Sequence, residues 1–163
     1  SLKPAFGKEG TVTAANASSI NDGAAAVVVT TPEKANELGA TPLCKIVGYA
    51  QASIEPKWFT LAPIEAVKKV FEKTGLGKND IDLFEINEAF SVVTLAAIKE
   101  FGLNPAHVNV NGGAVSIGHP IGGSGARVLV TLLYAMKKRN AKRGLATLCI
   151  GGGEGVALIV ERY

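Results

Sequence analysis

Cysteine and histidine are both scarce. The 163 residues hold two of each, at Cys44, Cys149, His107 and His119. With no CxxC and no paired histidines there is neither a zinc pattern nor a disulfide framework, and no metal is expected. Aromatic residues reach only 6% and the formal net charge is +3. So mild a positive balance tolerates an anionic ligand, but no basic stripe carries interleaved aromatics, and nucleic acid is not an expected partner. No apolar run reaches the roughly 18 residues that a bilayer crossing requires, so no membrane span is expected. The first residues, Ser-Leu-Lys-Pro, are neither an initiator methionine nor a signal peptide, and the sequence reads as cut at its start.

Glycine, by contrast, is abundant. Its 19 residues cluster at a few places without a repeat, which marks tight turns and close backbone approaches. Hydrophobic residues at 47% against 19% charged provide for one full core, or one core and a piece of another. The chain is polar up to Gly23, ending in a turn-forming stretch from Asn16. Residues 24–30 then form a continuous apolar run of strand length, the kind that sits in the middle of a covered sheet. Pro32 opens a short helix that Gly39 closes, and residues 43–49 are a second β-rich run, with Cys44 in its core. From Pro63, the residues Ile64, Val67, Val70 and Phe71 recur on one helical face, and Gly75 takes the C-cap role. Residues 81–86 read as a strand, and the next helix buries Phe90, Val93, Ala97, Ile98 and Phe101 before Gly102. A brief strand is expected at 108–110. A third long helix at 124–138 is apolar nearly all round, hence covered on most sides, with a basic last turn that suits the helix dipole. Residues 144–160 close the chain as two strands joined by a glycine-rich turn. Strands alternating with helices in this way predict an α/β fold, a mixed β-sheet covered by helices.

Three places carry candidate chemistry. Cys149 ends an apolar strand beside Gly151, Gly152 and Gly153, where backbone without side chains lets a ligand approach closely. Read alone, the stretch is a buried structural thiol beside a flexible turn, and the rest of the chain has to decide otherwise. To act as a base, a thiol that is only about 3% ionised at neutral pH needs a positive group or donor nearby, and His119 is the candidate. His119 lies between Gly118 and Pro120 in a loop leading into a helix, a constrained setting for the side chain best placed for proton traffic near neutral pH. His107 has no such setting. Asn87 stands where a strand meets a helix, either as an N-cap or holding a water or substrate oxygen at a strand terminus. The N–H groups of residues 151–153 could face a developing oxyanion.

The motifs Asn87-Glu-Ala-Phe90, Gly118-His-Pro-x-Gly-x-Ser-Gly125 and Cys149-x-Gly-Gly-Gly153 resemble, in this order and spacing, the carboxy-terminal half of a thiolase. The stretch from Gly10 to Ser18 and Asn21-Asp-Gly-Ala-Ala resemble the same family just upstream. The resemblance implies a thiolase-like layered αβα unit, with residues 1–41 ending the amino-terminal half and 42–163 forming the carboxy-terminal domain. It implies a reversible Claisen exchange between acyl-coenzyme A thioesters, acetoacetyl-coenzyme A being the short-chain case, with no cofactor beyond these thioester substrates. In that family a cysteine of the amino-terminal half is acylated. By motif match, His119 would activate that nucleophile, Asn87 would hold the water that completes an oxyanion site with His119, and Cys149 would move the α-proton of the second acyl group. The N–H of Gly151 would serve the second oxyanion hole, while Ser18 would meet the pantetheine arm with Ala14, Ala89 and Phe90 lining the approach. A cytoplasmic homo-oligomer, dimer or tetramer, is implied for the full-length protein.

Two departures accompany the match. Neither cysteine lies in the nucleophile context, and the loop region that grips most of coenzyme A is absent, so the isolated chain is expected to be inactive. On this reading the 24–30 strand lacks its neighbours and should be exposed, mispaired or used in association. Glu154, five positions from Cys149, could raise the thiol pKa. A dinucleotide-binding domain fails because Gly151, Gly153 and Gly155 lead into a strand where that fingerprint opens a helix. A decarboxylating ketoacyl synthase would carry a second histidine where Asn87 stands. A non-catalytic acyl-coenzyme A-binding or assembly module of the same fold remains the alternative.

Overall fold

The computed structural model describes residues 1–163. Its centre is a four-stranded mixed sheet of β1 (Lys45–Ser53), β2 (Leu83–Ile86), β3 (Arg143–Ile150) and β4 (Glu154–Glu161), in the order β1-β4-β3-β2. The closing hairpin forms as the glycine pattern predicts, β3 and β4 pairing antiparallel from Arg143↔Glu161 to Ile150↔Glu154. Gly153 turns that hairpin at φ +92°, and a side chain there would run into the Ile54 carbonyl, so only glycine closes the turn against the end of β1. β2 runs parallel to β3, Leu83 opposite Gly144 and Ile86 opposite Thr147.

Helices cover the two faces. On one, α2 (Ala62–Thr74) and α3 (Ser91–Phe101) bury Ile64, Val67, Val70, Val93 and Ala97 against Phe84, Ile86, Leu145 and Ile159. On the other, α5 (Ser124–Arg139) buries Val128, Leu132 and Met136 against Leu83, Ala146 and Val160. Each such aliphatic side chain removed from water contributes about 1.5–3 kcal/mol, the main favourable term holding the layers together. Gly75 and Gly102 end α2 and α3 in the left-handed conformation, as their positions predict. Two short helices, α1 (Pro32–Glu37) and α4 (Ala114–Ile117), sit in the connections.

Four expectations are corrected. Residues 24–30 form no strand. All but Ala25 lie exposed, Val28 at 94%, as expected of a run that lacks its neighbours. Cys44 precedes β1 and is only partly buried. The strand at 108–110 is reduced to one bridge between Val108 and Phe84, because Asn109 adopts φ +46° and breaks the extension. In place of a ladder, the Asn109 amide bonds both backbone groups of Ile86, at 2.7 and 2.9 Å, and so finishes that side of β2. α5 is covered along one stripe, and its Tyr134 is exposed.

Candidate active site

The carboxyl ends of the parallel strands β2 and β3 lie side by side, the place where α/β sheets gather ligands. The pairing runs one residue past β2, since the Asn87 N–H donates to the Thr147 carbonyl at 3.0 Å. Phe90, not Asn87, is the N-cap of α3, so the capping alternative fails. The Asn87 side chain is buried and committed to two other groups. Its Oδ1 accepts from Arg127 Nη2 at 3.0 Å, and its Nδ2 lies 3.3 Å from His119 Nε2.

His119 is fixed from both sides. Gly118 turns the chain at φ +93°, where any side chain would strike Asn21. The His119 N–H then donates to the Ser19 carbonyl at 3.0 Å and reaches Asn21 Oδ1 at 3.3 Å. On the ring, Nδ1 stands 2.6 Å from Ser124 Oγ, whose own proton goes to the Pro120 carbonyl at 2.9 Å. A hydroxyl has one proton to give, so Ser124 can only accept from Nδ1–H. Nε2 therefore carries the lone pair and accepts from the Asn87 amide. Burial, and then the nearby Arg127 charge, hold the His119 pKa below its ordinary value. The ring is thus a neutral base at neutral pH, with its free nitrogen at Nε2.

Cys149 sits at the end of β3, opposite Gly155, and is buried. Burial pushes its thiol pKa up, and only its own backbone N–H acts in the other direction. His119 does not supply the positive group expected for it, because the ring is held neutral and bonds Ser124 and Asn87 instead. Glu154 is not a cause of the raised thiol pKa either; its side chain is exposed to solvent, as β4 begins. Gly151 lies exposed in the hairpin turn.

The segment around Ser18 threads between these loops. The Ser18 N–H and Oγ both donate to the Ala89 carbonyl, at 3.1 and 2.9 Å, and the Ser91 N–H donates to the Asn16 carbonyl at 2.9 Å. Ala17 bridges to Phe90 and Ile20 to His119, which brings Ser18, Ala89, Phe90 and His119 into one neighbourhood. With its proton committed to Ala89, the Ser18 hydroxyl can only accept from a ligand. Ala14 lies in the exposed turn before this segment and makes none of these bonds. Phe90 packs edge to face on Phe59 and Phe6, with ring centroids 6.2 Å apart in each case.

Sequence reasoning missed Ser124, Arg127 and Glu85. Glu85 is 2% exposed on β2, and its Oε1 lies 3.8 Å from Arg127 Nη1. A carboxylate inside an otherwise apolar strand run was the available signal, since glutamate is almost never fully buried unless paired. A cavity of ≈ 620 Å³ lies away from this site, over the sheet, lined by Tyr49, Leu129, Leu148 and Leu158. A second, of ≈ 350 Å³, adjoins the histidine loop at Asn21, Gly23, Pro120 and Gly122. No three His, Cys, Asp or Glu side chains are gathered closely enough to hold a metal ion, and no helix is long and apolar enough to cross a membrane.

The sequence matches two family models, Thiolase, C-terminal domain, over residues 40–162 and Thiolase, N-terminal domain, over residues 1–33. It is 59% identical over 161 residues to an acetyl-CoA acetyltransferase of Cupriavidus necator, covering 99% of this chain and 41% of that protein. It is 59% identical over 162 residues to an acetyl-CoA acetyltransferase of Syntrophomonas wolfei, covering 98% and 41%. The fold superposes on the crystal structure of the Bacillus anthracis acetyl-CoA acetyltransferase with a TM-score of 0.96 at 50% identity, covering 99% of this chain and 41% of that one. It superposes on the Acat5 thiolase from Ascaris suum in complex with coenzyme A with a TM-score of 0.90 at 46% identity, covering 99% and 42%. The chain thus spans about two fifths of the length of the curated relatives it matches.

Proposed function

Because this chain belongs to the thiolase family, we propose that it provides one side of the active site of an acyltransferase that exchanges acetyl groups between coenzyme A thioesters. The reaction is the reversible condensation of two acetyl-coenzyme A molecules to acetoacetyl-coenzyme A, or its reverse thiolysis. The observation that carries this reading is the relay Asn87–His119–Ser124, which leaves a neutral imidazole with its free nitrogen at Nε2. A base so fixed, at the carboxyl end of β2 next to the strand that carries Cys149, suits the activation of a thiol nucleophile.

The nucleophile is a cysteine of the remaining part of the protein. His119 Nε2 takes its proton as the thiolate attacks the thioester carbonyl and returns it when that sulfur leaves the acyl-enzyme, while the departing coenzyme A thiolate takes its proton from the Cys149 thiol and leaves Cys149 as the thiolate. Asn87 aims one amide N–H at His119 Nε2, and its remaining N–H holds the water that completes the oxyanion site. Cys149, as thiolate, removes the α-proton of the second acyl group and returns it in thiolysis. A thiol raised by burial is a stronger base once ionised than an ordinary one, which suits an α-proton. The Gly151 N–H faces the oxyanion of the acyl-enzyme, and Ser18, Ala14, Ala89 and Phe90 guide the pantetheine arm. The working form is a cytoplasmic homo-oligomer.

Acetoacetyl-coenzyme A cleavage by the complete protein that carries this chain tests the reading, with the pure 163-residue chain assayed beside it. The complete protein is expected to be active and the 163-residue chain inactive, binding acyl-coenzyme A at most. Activity in the short chain would overturn the assignment of the nucleophile to the remaining part.

A further inference from the structure

Arg127, on the first turns of α5, has its Nε and Nη1 buried with no hydrogen-bond partner. Its single hydrogen bond goes to Asn87 Oδ1 at 3.0 Å, and its carboxylate neighbour Glu85 stands at 3.8 Å, beyond hydrogen-bonding reach. Such a buried pair adds little to stability, since apolar side chains of similar volume do as well or better. Its effect lies on Asn87. A side-chain amide can rotate by half a turn and exchange its oxygen and nitrogen, and only its partners decide which end faces where. A guanidinium has donors only, so it accepts nothing from the amide nitrogen and pins the oxygen to its own side.

Resting on the thiolase reading above, we propose that Arg127 is a positioning residue of the site: it holds the Asn87 amide with its N–H end toward His119 Nε2, and thereby keeps the proton of the imidazole on Nδ1. The relay runs in one direction throughout. Arg127 donates to Asn87, Asn87 to His119, His119 to Ser124, and Ser124 to the Pro120 carbonyl. Without Arg127 the amide is free to turn its oxygen to Nε2, and an oxygen there calls for a protonated Nε2, which is no longer a base. The charged and titratable groups that face this cluster are Glu85 on β2, Glu88 just beyond it, and His119 across the loop. Arg127 also repels the imidazolium, so its removal favours the protonated ring on both counts.

The test uses the complete protein labelled with nitrogen-15 in histidine, as wild type, Arg127→Met, Arg127→Lys and the double variant Glu85→Gln/Arg127→Met. The double variant removes the carboxylate that the single change would leave unpaired, and it serves where Arg127→Met fails to fold. The expected wild-type spectrum shows His119 as the Nδ1–H tautomer. In Arg127→Met or the double variant, the ring shifts to Nε2–H or to imidazolium, and the acid limb of kcat/KM moves to higher pH. kcat falls on the order of 10- to 100-fold, the worth of one charge-assisted hydrogen bond, while KM stays within about twofold. Arg127→Lys, still a donor, recovers part of the loss. A wild-type Nε2–H tautomer, or a folded variant with an unchanged ring spectrum and pH profile, overturns the proposal. If the wild type lacks acetoacetyl-coenzyme A cleavage, the functional reading fails, while the ring spectra still decide the role of Arg127.

Discussion

Ser124 Oγ lies 2.6 Å from His119 Nδ1 and gives its only proton to the Pro120 carbonyl, 2.9 Å away. The hydroxyl is fully buried, so nothing from solvent replaces it when it is removed. Ser124→Ala leaves a buried Nδ1–H without an acceptor, a loss of about 1–3 kcal/mol. The complete protein carrying Ser124→Ala is expected to lose roughly 10- to 100-fold in kcat/KM for acetoacetyl-coenzyme A. Steady-state kinetics beside a thermal melt separate this from unfolding. Near-wild-type kinetics in a folded variant contradict the tautomer assigned to His119.

His119 and Cys149 carry different proton transfers in one reaction sequence. Changing either to Ala in the complete protein is expected to remove condensation by several orders of magnitude, and the double change should cost little more than the worse single one. The check is the condensation rate of the three variants. Turnover near the wild-type level in Cys149→Ala removes the α-proton role from that thiol.

The pH profile follows from the His119 environment. Burial and the Arg127 charge both disfavour the imidazolium, so the ring stays neutral at pH values where an ordinary histidine is already half protonated. The base is active when neutral, so activity is lost only as pH falls through this lowered pKa. The acid limb of kcat/KM is expected below the ordinary value of about 6.5. An acid limb above 7 means that the ring is more exposed, or closer to a carboxylate, than the structure has it.

How much of this was legible beforehand differs between elements for physical reasons. The hairpin of β3 and β4, and the ends of α2 and α3, were legible because glycine marks the turns and caps through its own conformational freedom, a local property. The 108–110 strand was misread because Asn109 trades backbone pairing for side-chain bonds to Ile86, and nothing in the local pattern announces that exchange. Residues 24–30 look like a core strand because their composition answers to partners that this chain does not bring. His119 and Asn87 were legible as motifs, and the structure brings their side chains together. Arg127 was not legible, because one cation among the apolar residues of a helix does not reveal which strand it faces. The three-dimensional packing of α5 on β2 supplies that information.

Glu85 offers a test that needs no substrate. Burial raises its pKa from 4.5 to about 7, with Glu88 adding to the rise and Arg127 opposing it. The folded protein therefore holds a proton on Glu85 between pH 4.5 and about 7 that the unfolded chain has released. Stability falls with rising pH wherever the folded state binds more protons, so this group's contribution is intact below pH 4.5 and is lost as pH climbs to about 7. The cost of ionisation at pH 8 is on the order of 3 kcal/mol. Gln mimics the protonated acid and carries no such cost. Glu85→Gln in the complete protein is thus expected to match the wild type in thermal stability at pH 5 and to exceed it at pH 8. Melting both proteins across this range reads the difference directly. A gap that is constant with pH shows that Glu85 is already ionised in the fold, its charge compensated by Arg127 more closely than a 3.8 Å separation implies.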